Sequence, residues 1–297
     1  MERKVRPPEC IVLKEKFLKE IPCKNNCVAS NFPSVFLEGQ PSGCWIAHTA
    51  LALAEALRFK CSIEKCFSEK KFLWKDLILA IVLHDVGKLT RKYLEEKYAY
   101  HNVLSAAIAF KILQSTQLSS DSLAIAKAIF LHHEYRHWKK VLSSDFFAPS
   151  HIGTTFTRES SIYMKPGFEG ALLNLQQLLN EILADKSDKE TVNKLIENLS
   201  RYKEYKISTI EYNRITRSST NRFRILVYSL ALYWFLQLFD NRAASTRESI
   251  DNYWFNTLLL LENYSKKPCE LSENILKRGW SVSTRIMLSL LPKYIQG

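Results

Sequence analysis

The strongest constraint in this sequence is a hydrophobic run that ends in a histidine and an aspartate. Residues 72–83 are mostly apolar, His84 and Asp85 follow directly, and Gly87 lies two residues further on. Such a run predicts a buried helix, and the glycine provides the conformational freedom that lets the helix end there. Adjacent helical side chains point about 100° apart, so His84 and Asp85 can share one ion only if it lies just beyond the helix end.

The His84–Asp85 pair has two interpretations. A buried pair of this kind needs charge compensation, which a divalent metal ion usually supplies. Alternatively, Asp85 only accepts a hydrogen bond from His84 or caps a turn. The positions of the other histidines favour the metal.

The seven histidines are confined to the stretch between positions 48 and 151. Three further apolar segments, at 44–59, 101–114 and 122–133, predict core helices, and each has histidine within it or at its end. A single core histidine is usually only a satisfied polar residue, whereas five placed this way beside an aspartate indicate convergent metal ligands. The five are His48, His84, His101, His132 and His133. His151 falls in a loop-like stretch rich in Pro, Gly, Ser and Thr, and we do not expect it to be a ligand.

The order of these residues resembles that of the HD metal-dependent phosphohydrolase superfamily. The resemblance covers about residues 40–250 and rests on His48, His84–Asp85 with Gly87–Lys88, His101 with Ser105, the doublet His132–His133, and Asp240 within residues 238–245. The additional His101 and the doublet make the chain similar to the stand-alone HD nuclease subunit of type I CRISPR interference, called Cas-three.

The resemblance implies an all-α fold, an HD-domain helical bundle with a helical or loop insertion before the last core motif. We expect residues 1–40 to be a lead-in packed on the bundle, with a short helix at 12–20. Residues 41–297 would form a single HD nuclease domain with the insertion at about 141–220. The composition agrees: eight glycines and nine prolines are few, and 46% apolar residues suffice for a core. The run at 225–239 predicts the central buried helix, and 253–262 and 281–291 predict closing helices.

The resemblance also implies how the ligands divide between two divalent metal ions. One ion would be held by His48, His84, Asp85 and Asp240, and the other by Asp85, His101, His132 and His133. Asp85 would bridge the two ions. So many imidazoles favour transition ions such as Mn²⁺, Co²⁺, Ni²⁺ or Fe²⁺ over Mg²⁺.

Two further residues join Asp85 as catalytic candidates by the same resemblance. Lys88 would orient or neutralise a phosphate, or alternatively favour a helix C-terminus through the dipole. Ser105 lies one turn after His101 and would bond the scissile phosphate or a ligand.

The charge balance is compatible with a polyanionic substrate. The chain has 42 basic and 30 acidic residues, a net charge of +12, which attracts nucleic acid but also serves solubility. Basic residues are interleaved with aromatic ones at 90–100, 134–140 and 201–224, although a solvated surface explains each stretch equally well. The candidate contacts are Arg91, Lys92, Arg136, His137, Arg214, Arg217 and Arg222.

Together these features predict a metal-dependent nuclease that hydrolyses single-stranded DNA in CRISPR antiviral interference. No GxxxxGK[ST] phosphate loop occurs in the sequence, so we expect a separate helicase subunit and an RNA-guided surveillance complex as partners. Two alternatives stay open: an HD-type nucleotide or cyclic-nucleotide phosphohydrolase, and a non-catalytic nucleic-acid-binding subunit.

The N-terminus and the cysteines indicate a cytoplasmic protein. No apolar leader follows Met1, and seven is an odd number of cysteines. The spacings of Cys23 with Cys27 and of Cys61 with Cys66 fit a structural zinc site less well than buried thiols or a disulfide. The run at 225–239 is shorter than the ~20 residues of a membrane span, so we expect no membrane contact.

Overall fold

The computed structural model describes residues 31–37, 39–60, 72–95, 100–133, 159–216 and 223–245, together with residues 13, 14, 16, 63 and 64. Within these ranges the chain is mostly helical, which confirms the all-α prediction, and it also contains two short two-stranded antiparallel sheets. None of the described helices has both the length and the apolar character of a membrane span.

The helices and strands follow one another in this order along the chain. The helices are α1 (Trp45–Leu57), α2 (Phe72–Leu83), α3 (Arg91–Leu94), α4 (His101–Thr116), α5 (Ser122–Leu131), α6 (Phe168–Ile182), α7 (Lys186–Arg201), α8 (Thr209–Thr216) and α9 (Phe223–Ala244), and a short 3₁₀ helix covers Val86–Leu89. The strands are β1 (Val35–Leu37), β2 (Gln40–Ser42), β3 (Glu159–Tyr163) and β4 (Glu204–Ser208).

The core is built from the helices that are apolar on nearly every face. α4 packs against α5, and α9 packs against both α5 and α1, with α2 between them. Helices that are hydrophobic all round are stable only when buried, and Phe110, Phe130 and Tyr233 are indeed among the largest fully buried side chains. The predicted helix at 72–83 has the observed bounds of α2, whereas α9 extends beyond 225–239 at both ends.

The helical part of the predicted insertion packs directly on the core. α6 and α7 pair with each other, α6 contacts α1, and α7 contacts α2. The side chain of Asp185 caps α7 by accepting hydrogen bonds from the amides of Ser187 and Asp188. Asp188 is buried, and its carboxylate accepts hydrogen bonds from Trp74 Nε1 (3.0 Å) and Lys60 Nζ (2.7 Å). These bonds join α7 to the core helices.

Two short two-stranded sheets form in parts of the chain where the sequence predicted no strands. β1 pairs with β2 through a turn at Gly39, whose φ of +80° favours glycine. β3 pairs with β4 in the register Tyr163↔Glu204. The chain after β3 then joins the 3₁₀ helix, because Thr90 pairs with Met164 and the Lys165 amide donates to the Leu89 carbonyl. The end of β3 therefore lies beside the 3₁₀ helix that follows His84 and Asp85.

Several sequence predictions lie outside the described residues. They are the helices at 253–262 and 281–291, the pairs Cys23–Cys27 and Cys61–Cys66, and His151. Of the predicted helix at 12–20, Leu13, Lys14 and Lys16 are described and helical, and Leu13 is buried.

A buried carboxyl group between α2 and α9 makes stability depend on pH. Asp76 is 2% exposed, and its Oδ2 accepts a hydrogen bond of 2.6 Å from Tyr228 Oη. Burial raises the pKa of Asp76 to about 6, although the Tyr228 bond opposes this rise. A carboxyl whose pKa is raised on folding binds its proton more tightly in the folded state, so the free energy of unfolding falls as the pH rises through the interval up to about 6.

We expect the Asp76→Asn variant to lose this pH dependence. Between pH 5 and pH 8 the wild type should lose roughly 1 kcal/mol of unfolding free energy that the variant retains. Denaturant unfolding at the two pH values measures the difference. Asp185→Asn, which alters an exposed carboxylate with a lowered pKa, should behave like the wild type over this interval. Parallel curves for wild type and Asp76→Asn would contradict the assignment.

Candidate metal centre

The predicted ligands are delivered by the ends and inner faces of five core helices. His84 and Asp85 occupy the turn directly after α2, His101 is the first residue of α4, and His132 and His133 directly follow α5. His48 lies in the first turn of α1, and Asp240 lies near the end of α9. Two groups of ligand atoms result, each with atoms within 4.8 Å of one another: His48, His84, Asp85 and Asp240, which we call group 1, and Asp85, His101, His132 and His133, which we call group 2.

Asp85 belongs to both groups because its two carboxylate oxygens point in different directions. Oδ2 lies 3.5 Å from His48 Nε2 and 3.4 Å from His84 Nε2. Oδ1 lies 3.1 Å from His101 Nε2 and 3.9 Å from His132 Nε2. The side chain therefore presents one oxygen to each group.

Asp240 is the fourth member of group 1. Its Oδ1 lies 2.9 Å from His48 Nε2 and 3.4 Å from His84 Nε2. The four residues of this group are all buried. A cluster of two carboxylates and two imidazoles so far from water is stable only if hydrogen bonds, protons or a cation compensate its charge.

Backbone carbonyls orient two of the imidazoles. His84 Nδ1 donates to Ile81 O (2.7 Å) and His132 Nδ1 donates to Ile129 O (2.5 Å), since a carbonyl can only accept. Each bond turns the ring so that Nε2 faces the centre. Among the described residues, His84 Nε2, His132 Nε2 and Asp85 Oδ1 have no hydrogen-bond partner. Convergent, buried nitrogen and oxygen ligand atoms without partners fit a divalent transition ion. Metal-binding histidines also typically donate their other ring N–H to a carbonyl or carboxylate, as His84 and His132 do here.

The charges in the centre are strongly coupled. Burial alone would raise the pKa of Asp85 and of Asp240, but the neighbouring imidazoles, and Lys88 in the case of Asp85, hold both well below the usual value. Burial would lower the pKa of His84, yet the two carboxylates outweigh it and raise the pKa to about 10. Burial and the charge on His84 lower the pKa of His132 to about 3. His132 is therefore in the neutral form that binds metals.

The two groups differ in their access to solvent. His133 is exposed, and its Nε2 lies 2.8 Å from His101 Nε2, whereas the members of group 1 are buried. Among the described residues, group 2 is therefore the more solvent-accessible of the two groups.

Position 87 must be glycine because a side chain would not fit there, which corrects the reason inferred from the sequence. It lies in the 3₁₀ helix and does not have a positive φ, so conformational freedom does not explain it. A Cβ atom at this position would lie 2.4 Å from His101 O and 2.8 Å from both Leu104 Cβ and Ser105 N. Only glycine lets the His–Asp turn approach α4 this closely.

Ser105 is fully buried and holds the same turn. Its Oγ accepts a hydrogen bond of 2.8 Å from the Gly87 amide. The phosphate contact expected for Ser105 stays a prediction.

Lys88 is also buried, and its Nζ donates to Asp85 Oδ2 (2.7 Å) and to Ser34 O (2.6 Å). Trp45 Nε1 donates to the backbone carbonyl of Asp85 (2.9 Å). Ser34 and Trp45 could not be identified from the sequence, because a backbone carbonyl and an indole leave no residue pattern that marks them as parts of a site.

The candidate nucleic-acid contacts are dispersed. Arg91 is exposed and Lys92 half-buried on α3, which follows the 3₁₀ helix. Arg214 on α8 lies over the Phe110 ring, 5.9 Å from its centroid. Phe110 is nine residues past His101 on α4, about 13 Å along the helix axis, so Arg214 lies away from the metal centre. Arg136, His137, Arg217 and Arg222 lie outside the described residues.

Fold and site together define an all-α protein whose His/Asp cluster fits divalent metal ions. Residues 46–193 match the family model of the HD domain. Residues 46–193 therefore form an HD domain, which supports a place among the metal-dependent phosphohydrolases of the HD superfamily. No curated protein and no solved structure matches the chain significantly. The matched region contains every ligand except Asp240, which α9 contributes from beyond it.

The close approach at Gly87 gives a first prediction for the centre. Gly87→Ala should lower the free energy of unfolding by roughly 2 kcal/mol or more, because the new methyl group overlaps backbone atoms of α4. Gly170→Ala is the matched control, since its Cβ would meet nothing within 4 Å, and in α6 it should be neutral or stabilise by up to about 1 kcal/mol. Thermal or denaturant unfolding measures both variants, and equal effects would contradict the packing argument.

The position of Asp85 predicts how metal is lost on substitution. After loading with Mn²⁺ or Co²⁺, the wild type should retain two ions, Asp240→Asn and His133→Gln one each, and Asp85→Asn neither. Mass spectrometry of metal content after gel filtration measures the stoichiometry. Glu190→Gln, an exposed carboxylate on α7, is the control that should retain two. Two ions in Asp85→Asn would show that this carboxylate does not bridge.

Proposed function

We propose that this HD protein is a nuclease that uses two divalent metal ions to hydrolyse phosphodiester bonds of single-stranded DNA. The observation that carries the proposal is group 2. By resemblance to the superfamily, group 1 alone would suffice for a nucleotide phosphohydrolase, whereas the additional imidazoles of His101, His132 and His133 create a second set of donors that shares Asp85.

The chemistry divides between the ions and the chain. Bound divalent ions would supply a nucleophile from water near neutral pH and neutralise charge on the phosphate oxygens. Asp85, ionised and facing both groups, holds the centre together. Carbonyl bonds keep the imidazoles of His84 and His132 pointing inward, and group 2 lies at the accessible side where a phosphate can enter.

Surface features near the centre support a polynucleotide substrate. Arg91 and Lys92 follow the 3₁₀ helix. The strand β3, which leads to the Thr90 partner Met164, exposes the ring of Tyr163 (51%), and the ring of Tyr202, directly after α7, is 43% exposed. Basic side chains and exposed aromatic rings are the combination that binds a flexible single strand. The net charge of +12 would also increase the rate of encounter with DNA.

The biological setting that we propose rests on the resemblance. The chain would act in CRISPR antiviral interference with a separate helicase subunit and an RNA-guided surveillance complex, and its ions would be Mn²⁺, Co²⁺, Ni²⁺ or Fe²⁺ rather than Mg²⁺. The imidazole-rich donor set supports this choice of ions.

A cleavage assay with matched variants tests the proposal. With Mn²⁺, the wild type should cut labelled single-stranded DNA, and Asp85→Asn should be slower by roughly 1000-fold or more because both ions lose a ligand. Asp185→Asn, which alters the exposed N-cap carboxylate of α7, should cut at the wild-type rate. Equal cleavage by wild type and Asp85→Asn would overturn the proposal.

Two further substrates separate the alternatives. Turnover of mononucleotides or cyclic nucleotides without DNA cleavage would assign the chain to the nucleotide phosphohydrolases. Stoichiometric metal and DNA binding without any hydrolysis would indicate a nucleic-acid-binding subunit instead.

A further inference from the structure

Lys88 is enclosed between a carboxylate and a backbone carbonyl. It is 5% exposed, and its ammonium group donates to Asp85 Oδ2 and Ser34 O, both of which belong to residues that are themselves at most 1% exposed. A buried ammonium group is costly unless its N–H groups are bonded, and two of its three are bonded here. The side chain is thus fixed at its charged end.

The segment that supplies Ser34 also contacts Trp45 and Tyr93, two residues that touch the metal centre. Trp45, whose indole donates to Asp85 O, is itself held by a hydrogen bond of 3.1 Å from its amide to Phe32 O. The Phe36 ring packs against Tyr93, with ring centroids 5.4 Å apart, and Tyr93 packs edge-on against His101 at 5.5 Å. Residues 32–36 therefore support the main chain of Asp85, its carboxylate and one imidazole of group 2.

The Asp85 side chain does not fix the orientation of its own carboxylate. The torsion that rotates a carboxylate about its last bond is soft, so nothing within the side chain keeps Oδ1 toward group 2 and Oδ2 toward group 1. A charge-assisted hydrogen bond to Oδ2 alone makes the two oxygens inequivalent and holds the carboxylate in one orientation.

We infer that Lys88, anchored by the Ser34 carbonyl, is a positioning residue that keeps Asp85 oriented toward both metal groups. The segment 32–36 lies before the residues that match the HD family model, so this support for the centre comes from outside the matched region. The inference rests on the proposed two-ion function. It gives Lys88 a different role from the phosphate contact expected by resemblance.

Three variants test the inference by metal stoichiometry rather than by activity alone. Lys88→Met removes the bond to Asp85, and Lys88→Arg keeps the charge but places a larger group in a space limited by contacts of 2.6 and 2.7 Å. After loading with Co²⁺, both should retain one ion per chain where the wild type retains two. Lys127→Met is the matched control, because Lys127 is also buried and donates to a backbone carbonyl, Ile215 O, and it should retain two ions.

A milder variant covers the case in which the Lys88 substitutions prevent folding. Trp45→Phe removes the indole bond to Asp85 O together with part of a fully buried ring, and the affinity for the more weakly bound Co²⁺ should fall about tenfold in a competition titration with a chelator. Unfolding temperatures of all variants show which of them are folded. An unchanged affinity in folded Trp45→Phe would overturn the role given to residues 32–36.

Kinetics on single-stranded DNA separate positioning from substrate contact. The inference expects a lower kcat with KM within about twofold of the wild type for Lys88→Met. Two retained ions with only a raised KM would show that Lys88 touches the substrate, and full recovery by Lys88→Arg would show that charge suffices; either result overturns the inference. A wild-type chain that binds fewer than two ions would instead overturn the proposed function.

Discussion

The structure depends on one carboxylate that faces two directions. Asp85 places Oδ2 near His48 and His84 and Oδ1 near His101 and His132, so the ends of separate helices must meet at a single side chain. The turn after α2 can approach α4 this closely only because Gly87 has no side chain. The close packing of the helices therefore also determines the geometry of the metal centre.

Burying the polar and charged groups of the metal centre destabilises the fold, and the surrounding apolar core offsets this effect. Inward-facing polar atoms of His84, His132 and Asp85 have no hydrogen-bond partner among the described residues, and the carboxylates of Asp85 and Asp240 are buried as anions. The surrounding apolar helices supply the burial energy that tolerates them. Divalent ions bound only by the folded chain would convert this cost into stabilisation.

The functional unit is larger than the part of the chain that matches the HD family. Asp240 completes group 1 from α9, beyond the matched residues, and Ser34 and Trp45 support Asp85 from before them. The N-terminal lead-in, whose function could not be interpreted from the sequence, thus contributes contacts to the metal centre. These contacts come mainly from residues 32–34, directly before β1.

The sequence by itself determined the helices and the candidate ligands, because hydrophobic runs specify burial locally and the ordered histidines carry the resemblance to the HD superfamily. Only the tertiary structure decided which oxygen of Asp85 faces which group, why position 87 is glycine, and that Lys88 is held by Ser34. It also separated Arg214 from Arg91, which the sequence had grouped by charge alone. The physical reason is that backbone carbonyls and close approaches between helices have no residue pattern: they exist only once distant segments pack.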